Sequence, residues 1–403
     1  MEELQTRHRS LRTILSFALI PLSGFATDIY VPSLPSIATQ LHAPASTVQL
    51  TLIVFMISYG IAQVFVGSLL DSFGRFKLGT ASLFLFAIAS FAIALSSDIN
   101  VIQAMRVVQG VTAALIVVSK RAFFIDTFSG NRLKHYTSLF SIIWATAPIV
   151  APFIGAYLQQ LFGWQSNFYF LGGYTLLIMA LELIYGAESL KTRNPFKVRP
   201  IFDAYLTVVR TTDYMLGLVI VSLNYAMLVI YSMSSPFLIE HRYFLSPIIT
   251  GYCSLLSGIS FMLGGIISKL LIARPFNSKM LTAILFQFIV TILMAVTSGI
   301  KPGIYTLMAF TLVIHLLSGF SFNNVFAYCL QRFTKNTGIA SGITGGGLYI
   351  LTSVFSYGLA HIIAINDQQL LAFAYMIFAL LTCTIFYFFR LSKDRLLSLS
   401  LPA

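Results

Sequence analysis

Apolar residues run through this chain in long blocks, separated by short polar breaks. A helical block of about 20 apolar residues covers a hydrocarbon core about 30 Å thick. Twelve such blocks occur, at 13–35, 47–70, 78–96, 99–120, 136–160, 167–187, 213–238, 247–272, 280–299, 303–330, 338–363 and 370–390. The gap at Ser97–Asp98 is so short that the third and fourth blocks are expected to form a tight hairpin. The longest polar connection, Glu188 to Thr212, leaves six blocks on either side. The expected fold is all-α and integral to the membrane, with twelve transmembrane helices in two six-helix bundles. Their expected limits are 1–188 and 213–403, joined by a cytoplasmic linker at 189–212. Two sets of six spans are the sequence pattern of a transporter built from repeats.

Composition supports this reading. Of 403 residues 57% are hydrophobic and 9% charged, whereas soluble domains are about one quarter charged. The net charge of +12 raises the question of nucleic acid, but such binding needs Lys and Arg gathered on one face. Here they fall between the apolar blocks and follow membrane topology. With the N-terminus inside, 22 of the 25 basic residues lie in inner segments, Arg242 and Lys301 lie outside, and Arg106 lies in the membrane. Both ends are therefore expected in the cytoplasm. Cys253, Cys329 and Cys383 all sit in apolar blocks without CxxC spacing, so neither a disulfide nor a metal site is expected. The first apolar block is too long for a signal-peptide core and is expected to remain as a span.

Two charges stand at membrane depth. Asp28 lies in FATDIYVPSLP, Phe25 to Pro35, where Pro32 and Pro35 end or kink the first span. Arg106 lies near the start of the fourth. At about 1.5 Å of rise per residue both come to about 8–10 Å below the outer boundary. Opposite charges at one level offer each other a partner, and arginine cannot discharge itself. Burial and a neighbouring guanidinium push a carboxyl's titration in opposite directions. A carboxylate alternately wet and dry can thus load and release a proton.

Four stretches carry a family resemblance. GSLLDSFGRFKLG resembles the loop 2–3 signature of the major facilitator superfamily, matched at Gly67, Asp71, Gly74 and Arg75. Ser72 replaces a usual basic residue, and Lys77 comes one position late. RVVQG, Arg106 to Gly110, resembles the span-four signature, whose arginine is tied to proton transfer. APIVAPFIGA resembles the antiporter signature of drug exporters at Pro152 and Gly155, with Ala147, Ala151 and Ala156 where glycines are usual. DIYVPSLP is similar to the pattern of Bcr/CflA-type drug–proton antiporters, which implies proton and substrate binding at Asp28. The resemblance also implies a latch made when the cavity faces outward. In it Asp71 faces the N-terminus of span eleven in NTGIASGITGGG, Asn336 to Gly347, where Gly338, Gly342 and Gly346 form a seam opposite Gly60 and Gly67. Arg75 is a possible partner for Asp126.

Tyr30, Gln63, Gln109, Asn224 and His315 are candidates to line a cavity, and Gln287, Asn323 and Asn324 to line it or bridge helices. Glu182 falls in the last turns of span six, within reach of water. The second half carries no clear copy of the motifs, since Gly265 is followed by Lys269 where Gly67 is followed by Asp71. No HExxH, GxSxG or GxxxxGK(S/T) occurs, and the six His are dispersed, so neither an enzyme nor an ATP-driven pump is expected. The leading expectation is a proton-coupled exporter of small, largely apolar compounds in a bacterial inner membrane. It would act as a monomer, without a cofactor, with protons and lipid as partners. A siderophore or metabolite exporter, or a nutrient symporter, is the alternative.

Overall fold

A computed structural model describes residues 2–190, 206–333 and 337–400, and the described residues are helical throughout apart from the connections. Twelve helical segments among them are long and apolar enough to cross a membrane. Those of the first half are Ser10–Gln40, Ala45–Phe73, Arg75–Leu95, Ile99–Thr127, Gly130–Phe162 and Gln165–Tyr185. Those of the second are Thr212–Arg242, Pro247–Leu270, Phe276–Ile300, Ile304–Gln331, Ala340–Ile363 and Gln368–Lys393. They are numbered here as spans one to twelve. The chain divides into two compact units, Met1–Lys197 and Val198–Ala403. Residues 191–205 of the expected linker, and Asn336 at the start of the expected latch, lie outside the described residues.

Burial follows a membrane pattern. Large apolar side chains such as Leu85, Ile88, Leu177 and Ile184 point outward, while Arg106, Gln109, Gln287 and His315 are fully buried. The helices run up to seven residues past the apolar blocks, to Phe73 and Thr127, because helical propensity does not stop where hydropathy does. Gly74 separates spans two and three by itself, at φ 95°, a region that side chains disfavour.

Span one is broken into pieces. A first helix, Glu2–Leu19, ends before Pro21, and a second runs only from Leu22 to Asp28. A 3₁₀ turn at Val31–Ser33 and a last helix, Leu34–Gln40, follow. Pro32 and Pro35 have no N–H to donate, so the α-helical ladder cannot run through them. The 3₁₀ turn is closed by the Ser33 N–H donating to the Tyr30 carbonyl at 2.8 Å. Breaks of this kind survive at membrane depth where other protein groups satisfy the freed backbone.

Candidate functional site

The break in span one creates an acceptor, and span four supplies its donor. With the helix ending at Asp28, Arg106 Nη1 takes the Ala26 carbonyl at 2.8 Å. Nη1 also donates to Gln109 Oε1 at 2.9 Å, and Nε to the Thr51 carbonyl at 3.2 Å. The guanidinium lies against two rings, 4.6 Å from the centroid of Tyr30 and 4.3 Å from that of Phe55. Desolvated cation–π contacts of this kind contribute about 2 kcal/mol or more. The network extends across two further helices. Tyr30 and Thr51 share a hydroxyl–hydroxyl bond of 2.9 Å, and Gln109 Nε2 donates to Ser90 Oγ at 2.8 Å. Arg106 Nη2 alone is buried without a hydrogen-bond partner.

The expected ion pair between Asp28 and Arg106 is not formed. Among the described residues the ion pairs are Arg75–Asp71, Arg75–Asp126, Lys120–Glu182 and Arg332–Asp213. Equal depth is not equal direction, and the arginine points at backbone carbonyls freed or exposed by neighbouring helices. Asp28 is half-buried at the end of its short helix, next to this network but not bonded into an ion pair. Tyr30 and Gln109, expected to line a cavity, are fully buried inside the network.

The antiporter-like stretch of span five packs on the same break. Ala151, Pro152 and Gly155 are buried. A Cβ added to Gly155 would lie 1.6 Å from the Ile29 carbonyl oxygen, and one at Gly24 would lie 2.9 Å from Ala147 Cβ. Small residues thus bring span five against the backbone beside Asp28.

At the other end of this unit, Arg75 joins Asp71, one turn back on span two, at 3.1 Å and also pairs with Asp126. Ser189 donates to Asp126 Oδ2 at 3.0 Å. Glu188 accepts the first two backbone N–H groups of span three, from Arg75 at 3.1 Å and Phe76 at 3.2 Å. It supplies the side-chain cap that Gly74 cannot. Burial raises the Glu188 carboxyl, but the N–H groups of Leu190, Arg75, Phe76 and Ser189 outweigh it and hold it below its ordinary value. Glu182, expected to reach water, is instead buried and paired with Lys120 at 2.6 Å.

The sequence matches the Major Facilitator Superfamily over residues 17–356. The chain belongs to that superfamily. An uncharacterized MFS-type transporter of Bacillus subtilis, YdgK, is 27% identical over 380 residues, covering 91% of this chain and 92% of its own. Multidrug resistance protein MdtL of Shewanella sp. strain ANA-3 is 28% identical over 368 residues, covering 87% and 89%. A bicyclomycin resistance protein homolog of Haemophilus influenzae is 32% identical over 178 residues, which is 44% of this chain and 45% of that one. A bacterial homolog of the human lysosomal transporter Spinster has the same fold, with a TM-score of 0.72 at 14% identity over 96% of this chain and 97% of its own. The chain is therefore an integral membrane transporter with the superfamily's twelve-helix architecture.

In the second unit Asn224, Gln287 and His315 are buried between helices, Asn324 is half-buried and Asn323 is exposed. Asn224 donates to its own helix, at Ile220, and its Oδ1 has no partner. His315 sits between Ser257 Oγ at 2.6 Å and the Tyr375 hydroxyl at 3.1 Å. Gln287 bridges spans nine and ten through Ser318 Oγ at 2.7 Å, and Asn323 bridges spans ten and eight through Ser268 Oγ at 3.2 Å. Gln63, in the first unit, is half-buried with its Oε1 unpartnered. Three groups escaped the sequence reading. Lys120 was assigned only to topology. Asp213 binds Arg332 and accepts from Tyr328 at 2.5 Å. Glu240 lies in a π-turn, Leu238–Arg242, with Oε1 buried and unpartnered. An acid flanking an apolar block is the signal that would have found both carboxylates.

Proposed function

We propose that this protein is a proton-coupled exporter of small, largely apolar compounds, working as a drug or metabolite antiporter. The observation that carries the reading is the separation of roles at the break in span one. Arg106 is held by carbonyls and aromatic rings, so its charge is fixed in place, while Asp28 beside it has no ion-pair partner and is only half-buried. Its carboxylate is free to load and release a proton as the helices around it open and close. The unpartnered Arg106 Nη2 is a donor available to that carboxylate, or to substrate, in another state of the cycle. Relatives named for multidrug and bicyclomycin resistance support substrates of the drug class. Gly67, Asp71, Gly74 and Arg75 are assigned to a conformational latch, supported by the ties from Arg75 to both Asp71 and Asp126.

The distribution of basic residues supports an inner-membrane protein with both termini in the cytoplasm. Reporters fused at the C-terminus should read as cytoplasmic and one inserted near Arg242 as external; an external C-terminus would overturn the orientation. The direction of transport is tested in inside-out vesicles made acidic inside, with chloramphenicol and ethidium as probes. Accumulation in the lumen is expected, and Asp28→Asn should abolish it while leaving insertion intact. Unimpaired accumulation by the variant would remove Asp28 from the mechanism. Proton-driven uptake into right-side-out vesicles would establish a symporter instead.

A further inference from the structure

The second unit contains a copy of the Arg106 network that the loop comparison does not find. RVVQG in span four, Arg106 to Gly110, corresponds to HLLSG in span ten, His315 to Gly319. The correspondence is one of contacts and register together. A Cβ at Gly110 would lie 2.5 Å from the Phe55 carbonyl oxygen of span two, and one at Gly319 would lie 1.9 Å from that of Phe261 in span eight. Four residues before each glycine stand Arg106 and His315, and four before each phenylalanine stand Thr51 and Ser257. Arg106 bonds Thr51, through its carbonyl, and His315 bonds Ser257, through its hydroxyl.

The remaining partners follow the same plan. The residue before each glycine joins the next helix by an amide–hydroxyl pair. Gln109 donates to Ser90 in the first unit, and Gln287 donates to Ser318 in the second, with amide and hydroxyl exchanged between helices. A tyrosine from the first helix of each unit covers the central group, Tyr30 against Arg106 at 4.6 Å and Tyr231 against His315 at 5.3 Å. Each tyrosine follows an isoleucine and stands five residues before a proline, Pro35 or Pro236. These helix positions thus agree between the units. Asp28 has Val229 in the matching place, so the second network has no acid.

We infer that His315 is a second proton-binding site of the transport cycle, the counterpart in this unit of the Asp28–Arg106 network. The inference rests on the proton-coupled reading above. The titratable groups that face the ring are Tyr231 of span seven and Tyr375 of span twelve, with the Ser257 hydroxyl from span eight, while Gln287 of span nine donates to the carbonyl of the preceding residue, Ile314, at 3.4 Å. Among the described residues no Asp, Glu, Lys or Arg bonds to it. A neutral imidazole has one donor and one acceptor, whereas an imidazolium has two donors. Hydroxyls on both sides match either state, one donating and one accepting in the first, both accepting in the second. No countercharge is present here, so an imidazolium in this arrangement would be an unpaired buried charge. The proton is therefore taken from water when the helices around the ring part. A new N–H bond forms on the free ring nitrogen at the expense of a hydronium O–H, and the proton returns to water on the other side.

The test is nitrogen NMR on the full-length protein in lipid nanodiscs, with ¹⁵N-labelled histidine. The signal lost in His315→Gln is expected to show a doubly protonated population that grows between about pH 8 and pH 5, from the molecules whose helices around the ring have parted. If no doubly protonated population appears by about pH 5, the inference is overturned. Should the glutamine variant fail to fold, Tyr375→Phe, which removes one hydroxyl, identifies the signal by its shift. Repeating the titration in Asp28→Asn separates the two claims. A retained His315 titration with export still coupled would overturn the Asp28 reading alone, and a silent His315 with export lost would overturn this one alone.

Discussion

Replacing Gly155 by alanine tests whether the antiporter-like stretch acts by holding the break in span one. The added Cβ would lie 1.6 Å from the Ile29 carbonyl oxygen and 2.6 Å from its carbon. An ordinary C···O approach is about 3.3 Å, so the Ile29 peptide must withdraw by well over an ångström. Overpacking costs about 1–3 kcal/mol. The upper end applies here, because the obstacle is backbone pinned between prolines rather than a side chain that can rotate. For a domain of this size each kcal/mol lowers the melting temperature by about 2–4 °C, which gives a fall of about 6–12 °C in detergent. Ile29 is bonded to Asp28, and misplacing a reacting group by about 1 Å costs up to about 100-fold in catalysis. Coupled export in vesicles is therefore expected to fall at least as severely as stability. Gly173→Ala is the control: nothing lies within 4 Å of its Cβ, and it sits on an exposed helix face. That variant should be neutral or gain a few tenths of a kcal/mol from helix propensity. Wild-type melting and export in Gly155→Ala would refute the argument.

Other variants probe the ion pairs and the cap. Lys120→Met strands Glu182, whose side chain is 5% exposed, and should cost about 3–5 kcal/mol in a melting assay, whereas Lys120→Met with Glu182→Met should recover most of it. Glu188→Gln tests the cap on span three. A carboxyl held below its ordinary value stabilises the fold above that value and loses the contribution as pH falls through the folded one. Wild-type stability should therefore decline on acidification below 4.5, the ordinary glutamate value, and the glutamine variant should be less stable at neutral pH with a flatter acid limb. Arg106→Lys keeps the charge but not the planar fork that reaches the Thr51 carbonyl, the Ala26 carbonyl and Gln109 together. Its export in vesicles should resemble that of Arg106→Ala, and a value near wild type would show that charge alone suffices.

Much of the architecture was legible because hydropathy and charge act over whole helices. Span limits came out within a few residues except where amphipathic ends continue the helix, as at Thr127. What the sequence hid was azimuth. Counting residues places Asp28 and Arg106 at one depth but says nothing of the rotation of their helices, so a guanidinium aimed at carbonyls was read as an ion pair. For the same reason the sequence does not reveal that the Gln109 amide bridges Arg106 and Ser90. The internal copy was missed because the loop motif has decayed at Lys269, while the copy that persists lies inside the spans. There the residue types changed, arginine to histidine and glutamine to serine, but the spacing did not.

On the proton-coupled function proposed above, the arrangement of Arg106 bears on how a proton would be handled near it. A guanidinium bonded directly to a carboxylate favours the charged form, and a carboxylate fixed in that way would hold its charge through the cycle. Neutral carbonyls and ring faces hold Arg106 without consuming Asp28. The fixed charge then biases the acid through space, to a degree that changes as water enters or leaves between them. The break in span one is what makes this possible. By ending a helix at Asp28 it frees the Ala26 carbonyl for the arginine and leaves the acid at a helix end, where a small rearrangement moves it. A continuous helix through Pro35 would close the Ala26 carbonyl inside its own ladder and leave the arginine one acceptor short, a place that the carboxylate could take.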